Sequence, residues 1–124
     1  MKDETKKWIE QAEADLKTAR NSLASKDFYA SSFWAQQAVE KILKAFIMKK
    51  ENKLIKMHDL VILGRKAKLP IELLSKCERL SKAYIESRYG LLGGEIPAEK
   101  FKQADAENFL NIAEEITIWL KKKI

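Results

Sequence analysis

Between Phe33 and Ala45 the chain reads Phe-Trp-Ala-Gln-Gln-Ala-Val-Glu-Lys-Ile-Leu-Lys-Ala, with no glycine or proline to interrupt it. Such a segment is a helix by composition, and two separate periodic rows run along it. Ala38, Ile42, Ala45 and Phe46 recur at spacings of three or four and form one apolar stripe. Gln37, Lys41 and Lys44 fall at i, i+4 and i+7, so they line a second face of the same helix. A helix that only had to pack on a core would need the first row and not the second. The fold therefore has to supply a long helix with one face inside and an ordered amide-and-ammonium row elsewhere.

The rest of the chain follows the same period. Asp3 to Leu23 places Trp8, Ala12, Leu16, Ala19 and Leu23 on one stripe. Ser25-Lys26-Asp27 breaks that helix, and Asp27 is the expected N-cap of the next, which spans Phe28 to about Lys50. A polar connection from Glu51 to Lys56 precedes a short helix expected around His58 to Lys66. Pro70 suits the first turn of a fourth helix running to Tyr89, with Leu73, Cys77, Leu80 and Tyr84 as its core stripe. Gly90 to Pro97 holds three of the four glycines and reads as a loop. The last helix, Ala98 to Lys122, is expected to bury Ala106, Phe109, Leu110, Ala113, Ile116 and Leu120. The expected fold class is all-α, an antiparallel up-and-down helix bundle of four long helices plus one short helix. A chain of 124 residues makes this one domain, residues 1–124.

Composition excludes several function classes. Four glycines and two prolines leave little turn chemistry for an all-β fold. No apolar run is long enough for a membrane span, so no membrane partner is expected. Met1-Lys2-Asp3-Glu4 lacks the apolar stretch of a signal peptide, and a lone cysteine forms no internal disulfide; both favour a cytoplasmic location. One histidine and one cysteine cannot build a His/Cys zinc site, and there is no Glu-x-x-His pair, P-loop or Gly-x-Gly-x-x-Gly, so no cofactor or metal is expected. Cys77 lies on a core stripe, where a free thiol behaves as a small apolar group.

The charge is +6, from 24 basic and 18 acidic residues. A basic surface attracts nucleic acid or nucleotides. The competing explanation is solvated helix faces: Asp3–Lys7, Glu13–Lys17, Glu40–Lys44, Glu72–Lys76 and Glu78–Lys82 all have acid four residues before lysine, the order that suits helix surfaces. His58 and Asp59 are expected to cap the short helix. Trp34 lies off the main stripe and is a candidate dimer contact.

Five segments resemble the HEPN (higher eukaryotes and prokaryotes nucleotide-binding) domain of the small prokaryotic type. They are Trp8 with Ala12-x-x-Asp15-Leu16-x-x-Ala19; Asp27-Phe28-Tyr29 leading to Phe33-x-Ala35-x-Gln37-Ala38-x-Glu40-Lys41-x-Leu43-Lys44-Ala45; His58-Asp59-Leu60; Ala83-Tyr84-x-x-Ser87-Arg88-Tyr89; and Ala113-Glu114-Glu115-Ile116 with Trp119. The resemblance implies a homodimer with a cleft between protomers, and a minimal nucleotidyltransferase as partner. It also implies an Arg-x4-6-His ribonuclease motif in many relatives. Arg88 matches the arginine, but Gly93, Gly94 and Glu95 occupy the histidine positions, so no catalytic residue is carried over and the chain is expected not to be an enzyme of this kind.

The expected function is a non-catalytic, nucleotide- or RNA-associated HEPN subunit, the helical partner of a minimal nucleotidyltransferase in a toxin–antitoxin or related two-component system. A metal-independent ribonuclease toxin with a degenerate motif and a plain helical interaction protein are the alternatives. The residues expected to hold a nucleotide phosphate are Arg88, Tyr89, Lys41, Lys44, Gln37 and Tyr84.

Overall fold

The computed structural model describes residues 3–89 and 95–124, and the side chains of 86–89 lie outside that description. Six helices follow one another: α1 (Asp3–Ala24), α2 (Phe28–Glu51), α3 (Leu60–Lys66), α4 (Ile71–Tyr89), α5 (Pro97–Lys100) and α6 (Gln103–Lys121). No strand occurs among the described residues. The four long helices run alternately up and down, as expected from the periodicity. Glu13 of α1 meets Lys121 of α6, and Arg20 meets Glu114, which sets α1 and α6 antiparallel. Lys49 near the end of α2 donates to the carbonyl of Ile124, so α2 and α6 end together. Tyr84, late in α4, stacks on Phe33, early in α2, so α4 runs against α2.

The core is the one that the stripes delineate. Ala38, Ile42, Ala45 and Phe46 of α2 are buried with Ala12, Leu16 and Ala19 of α1, Leu73, Cys77 and Leu80 of α4, and Ala106, Leu110, Ala113, Ile116 and Leu120 of α6. Trp8, Leu23, Tyr84 and Phe109 are only half-buried. Removing this apolar area from water is the main stabilising term. Gly64 allows α3 to approach α4 closely: a Cβ there would lie 2.9 Å from Leu74 Cδ1 and 3.2 Å from Leu69 Cδ1.

Helix ends depart from expectation at four places. The last helix does not run unbroken from Ala98. Phe101 adopts an extended conformation (φ −80°, ψ 127°) that separates one turn, α5, from α6, and its side chain is buried. The Lys102 N–H then donates to Asp105 Oδ2 at 2.9 Å, which caps the start of α6. The short helix starts at Leu60, not at His58, because Asp59 caps it by accepting from Val61 N (2.9 Å) and Ile62 N (3.1 Å). Asp27 occupies the N-cap position of α2, yet its carboxylate accepts from Ser25 Oγ (2.7 Å) rather than from a helix N–H. Pro70 immediately precedes α4, and its carbonyl accepts from Leu74 N (2.9 Å). Of the Gly90–Pro97 loop, residues 90–94 lie outside the described residues, and Gly93 and Gly94 with them.

Candidate functional site

α2 is buried on two sides. Opposite its apolar stripe, Phe33, Gln36, Gln37, Glu40 and Lys44 recur at spacings of three and four and share one strip. Along that strip α2 forms a seam with α1, through Trp8 and Asp15, and with α4 and the α2–α3 connection, through Tyr84 and His58. Gln36, Glu40 and Lys44 are buried, while Phe33, Gln37 and Lys41 are half-buried. Burying charge is costly unless each group finds a partner, and here each does.

Lys44 Nζ donates to Glu40 Oε2 at 3.1 Å, with only 5% and 8% of the two side chains exposed. The same carboxylate oxygen receives His58 Nδ1 at 2.8 Å. Lys44 also sits 5.7 Å from the centre of the Trp8 ring, so α1 supplies an aromatic roof over the ammonium. One step along, Lys41 Nζ pairs with Asp15 Oδ2 of α1, whose other oxygen accepts from Gln11 Nε2 at 2.9 Å. Gln37 Nε2 donates to Gln36 Oε1 at 2.7 Å. Glu40–Lys44 is thus a pair with both ends inside, not one of several solvated surface pairs. Glu13 and Lys76 use Lys121 and Glu115 instead, reaching between helices.

At its other end the seam turns aromatic. Phe33 stacks on Tyr84 (centroids 5.8 Å apart, planes at 21°) and meets Trp34 edge-on (5.2 Å, 85°). Tyr29 and Ile85, neighbours of this group on α2 and α4, are 40% and 56% exposed. Arg88 follows Tyr84 by one helical turn and Tyr89 comes next; their side chains fall outside the described residues.

Of the six residues expected to bind phosphate, the fold sets Gln37, Lys41 and Lys44 along the seam and Tyr84 at its aromatic end. Lys41 and Lys44 already hold carboxylates. Three seam residues were not among the expected ones. Asp15 could have been noticed as an acid inside the Ala12–Leu16–Ala19 stripe, and Glu40 as the i−4 neighbour of Lys44. His58, expected as a cap, leaves that role to Asp59 and is held on Glu40 with 77% of its side chain exposed.

The chain matches the HEPN domain over residues 5–124. The chain belongs to the HEPN family. This HEPN chain is similar in structure to TT1696 from Thermus thermophilus, at 26% identity and a TM-score of 0.91, with 99% of this chain and 100% of that one covered. It is also similar to ST0689, an archaeal HEPN homologue, at 29% identity and a TM-score of 0.83, covering 99% and 98%. Comparison with curated proteins returned no match. No helix among the described residues is long and apolar enough to cross a membrane, and no cluster of three or more His, Cys, Asp or Glu capable of holding a metal occurs among them.

Proposed function

We propose that this HEPN chain binds a nucleotide or RNA phosphate at the Arg88 end of the α2 seam without cutting it. In this reading it works as a homodimer and as the helical partner of a minimal nucleotidyltransferase in a toxin–antitoxin or related two-component system. Family membership supports the ligand class. The observation that carries the division of labour is the pairing of Lys41 with Asp15 and of Lys44 with Glu40. A phosphate approaching the middle of the seam meets ammoniums whose charge is already answered. Arg88 is therefore assigned the anion, with Tyr89 and Tyr84 of the same helix and Gln37 of α2 as further candidate contacts. Lys41 and Lys44 take a different part: through Asp15 and Trp8 they hold α1 on α2, while Glu40 holds the α2–α3 connection through His58. The exposed Tyr29 and Ile85 beside the Phe33–Trp34–Tyr84 group support a second copy docking at this end.

Calorimetry with mononucleotides and short RNA tests the assignment. Arg88→Ala is expected to weaken binding at least several-fold at unchanged melting temperature, since a charge-assisted hydrogen bond contributes about 1.5–3 kcal/mol. Unchanged affinity in Arg88→Ala, with loss in Lys41→Met, would reverse the roles given to these residues.

One observation favours the ribonuclease alternative. His58 Nδ1 is oriented by a carboxylate at 2.8 Å while the ring stays exposed, which is how an acid–base imidazole is presented. RNA cleavage that persists in chelator and disappears in His58→Ala would establish that reading over the non-catalytic one.

A further inference from the structure

At the end of the bundle away from Arg88, about 20 Å along α2 from Phe33 at helical rise, lies a cavity of about 570 Å³. Its wall carries Lys50, Lys66, Lys68 and Lys123, and Glu51 is the one acid among its lining residues. Its floor is apolar: Phe46, Ala67 and Trp119. The charges here differ from those of the seam. Lys41, Lys44, Lys76 and Lys121 each pair with a carboxylate. Among the described residues, none of the four cavity lysines does. Lys50 instead rests over the Phe46 ring at 5.5 Å and Lys123 over the Trp119 ring at 4.7 Å.

The ends of α2, α3 and α6 meet in this region, and helix C-termini attract cations. That accounts for part of the lysine. Three helix ends carry a negative charge of about half a unit each, and Glu51 carries one more. Four ammoniums exceed the total by between one and two positive charges, with an aromatic floor beneath them. Four clustered, rotatable ammoniums act as point charges, which suits the several negative charges of a compact polyphosphate. Ring faces occupied only by weakly held ammoniums remain available to a planar base. The half-open, concave form suits a small molecule over an extended strand.

We infer that the cavity between the C-terminal ends of α2, α3 and α6 is a binding site for a nucleoside di- or triphosphate, with its phosphates on Lys50, Lys66, Lys68 and Lys123 and its base on Trp119. The site is independent of Arg88. On binding, Lys123 leaves the Trp119 ring for the phosphates and the base takes its place.

Calorimetry on the full chain tests this with ATP, GTP, tripolyphosphate, adenosine and an oligo-glutamate peptide. Lys68→Glu combined with Lys123→Glu changes only exposed side chains, and its melting curve checks that the bundle is intact. The expected result is a saturable nucleoside triphosphate binding step, separate from the one assigned to Arg88, that weakens as salt rises, falls at least tenfold in the double charge reversal and persists in Arg88→Ala. Trp119→Leu, or Trp119→Phe if the leucine variant does not fold, is expected to weaken ATP several-fold while leaving tripolyphosphate unchanged. No ATP or GTP binding, or equal affinity in the charge-reversed chain, overturns the site. Binding of oligo-glutamate in preference to every phosphate overturns the ligand class. Loss in Arg88→Ala and not in the charge reversal overturns this site while leaving the role of Arg88 intact.

Discussion

Replacing Lys44 by Met tests whether the seam is a structural lock. Methionine preserves most of the lysine stem, so little cavity forms and the change is chiefly one of charge. The ammonium sits 3.1 Å from Glu40 Oε2. Coulomb's law at that distance, with an effective dielectric of about 20, gives an attraction of roughly 5 kcal/mol before desolvation is subtracted. Losing one partner of a buried pair costs about 3–5 kcal/mol, because the remaining charge is left in a poor solvent. Glu40 keeps His58 at 2.8 Å, which places the expectation at the low end, about 3 kcal/mol. For a domain of this size that corresponds to a fall in melting temperature of roughly 12 °C. Glu40→Gln strands Lys44 in the same way and should cost a similar amount. The double variant removes both charges of this pair, so it should be more stable than the sum of the two losses by at least about 2 kcal/mol. Urea denaturation followed by circular dichroism on all four proteins completes the cycle. A Lys44→Met cost below about 1 kcal/mol with coupling near zero would mean that the pair is effectively solvated, and Lys44 would return as a phosphate ligand.

Other outcomes follow from the same packing. Gly64→Ala gains about 0.5–1 kcal/mol of helix propensity but presses its methyl on the ends of Leu74 and Leu69. The two effects should nearly cancel in denaturant melts, while Gly64→Val should cost at least about 2 kcal/mol. Burial pushes the Cys77 thiol up to about 12 from 9.0. Because the folded value is the raised one, the thiol's contribution is whole below about pH 9 and is lost as the pH climbs towards 12. Stability of the wild type should therefore fall faster than that of Cys77→Ala between about pH 9 and 10, by at most about 1.4 kcal/mol over that unit. Native protein should also react with a thiol reagent only as fast as it opens. Light scattering at micromolar concentration should give twice the chain mass of 14.3 kDa; a clean monomer would remove the shared cleft.

Sequence by itself determined the helices and the core. The three-and-four spacing of Ala38, Ile42, Ala45 and Phe46, and of Leu73, Cys77 and Leu80, marks one face of each helix, and burying apolar area then leaves few ways to assemble them. It also exposed the second row on α2, because spacing along a single helix is a local property. What that row does was decided by tertiary structure. Asp15 reaches Lys41 across 26 residues, and His58 reaches Glu40 across 18. Such pairings depend on how far α1 and the α2–α3 connection slide along α2, and no local pattern encodes that register. The same holds for the break at Phe101, where burying one aromatic ring interrupts a segment that reads as continuous helix. The lysines at the helix ends looked like ordinary dipole partners one at a time. Only the convergence of three C-termini around Phe46 and Trp119 gathers them into one basic cavity, because charge density is a property of the assembled surface and not of any one helix.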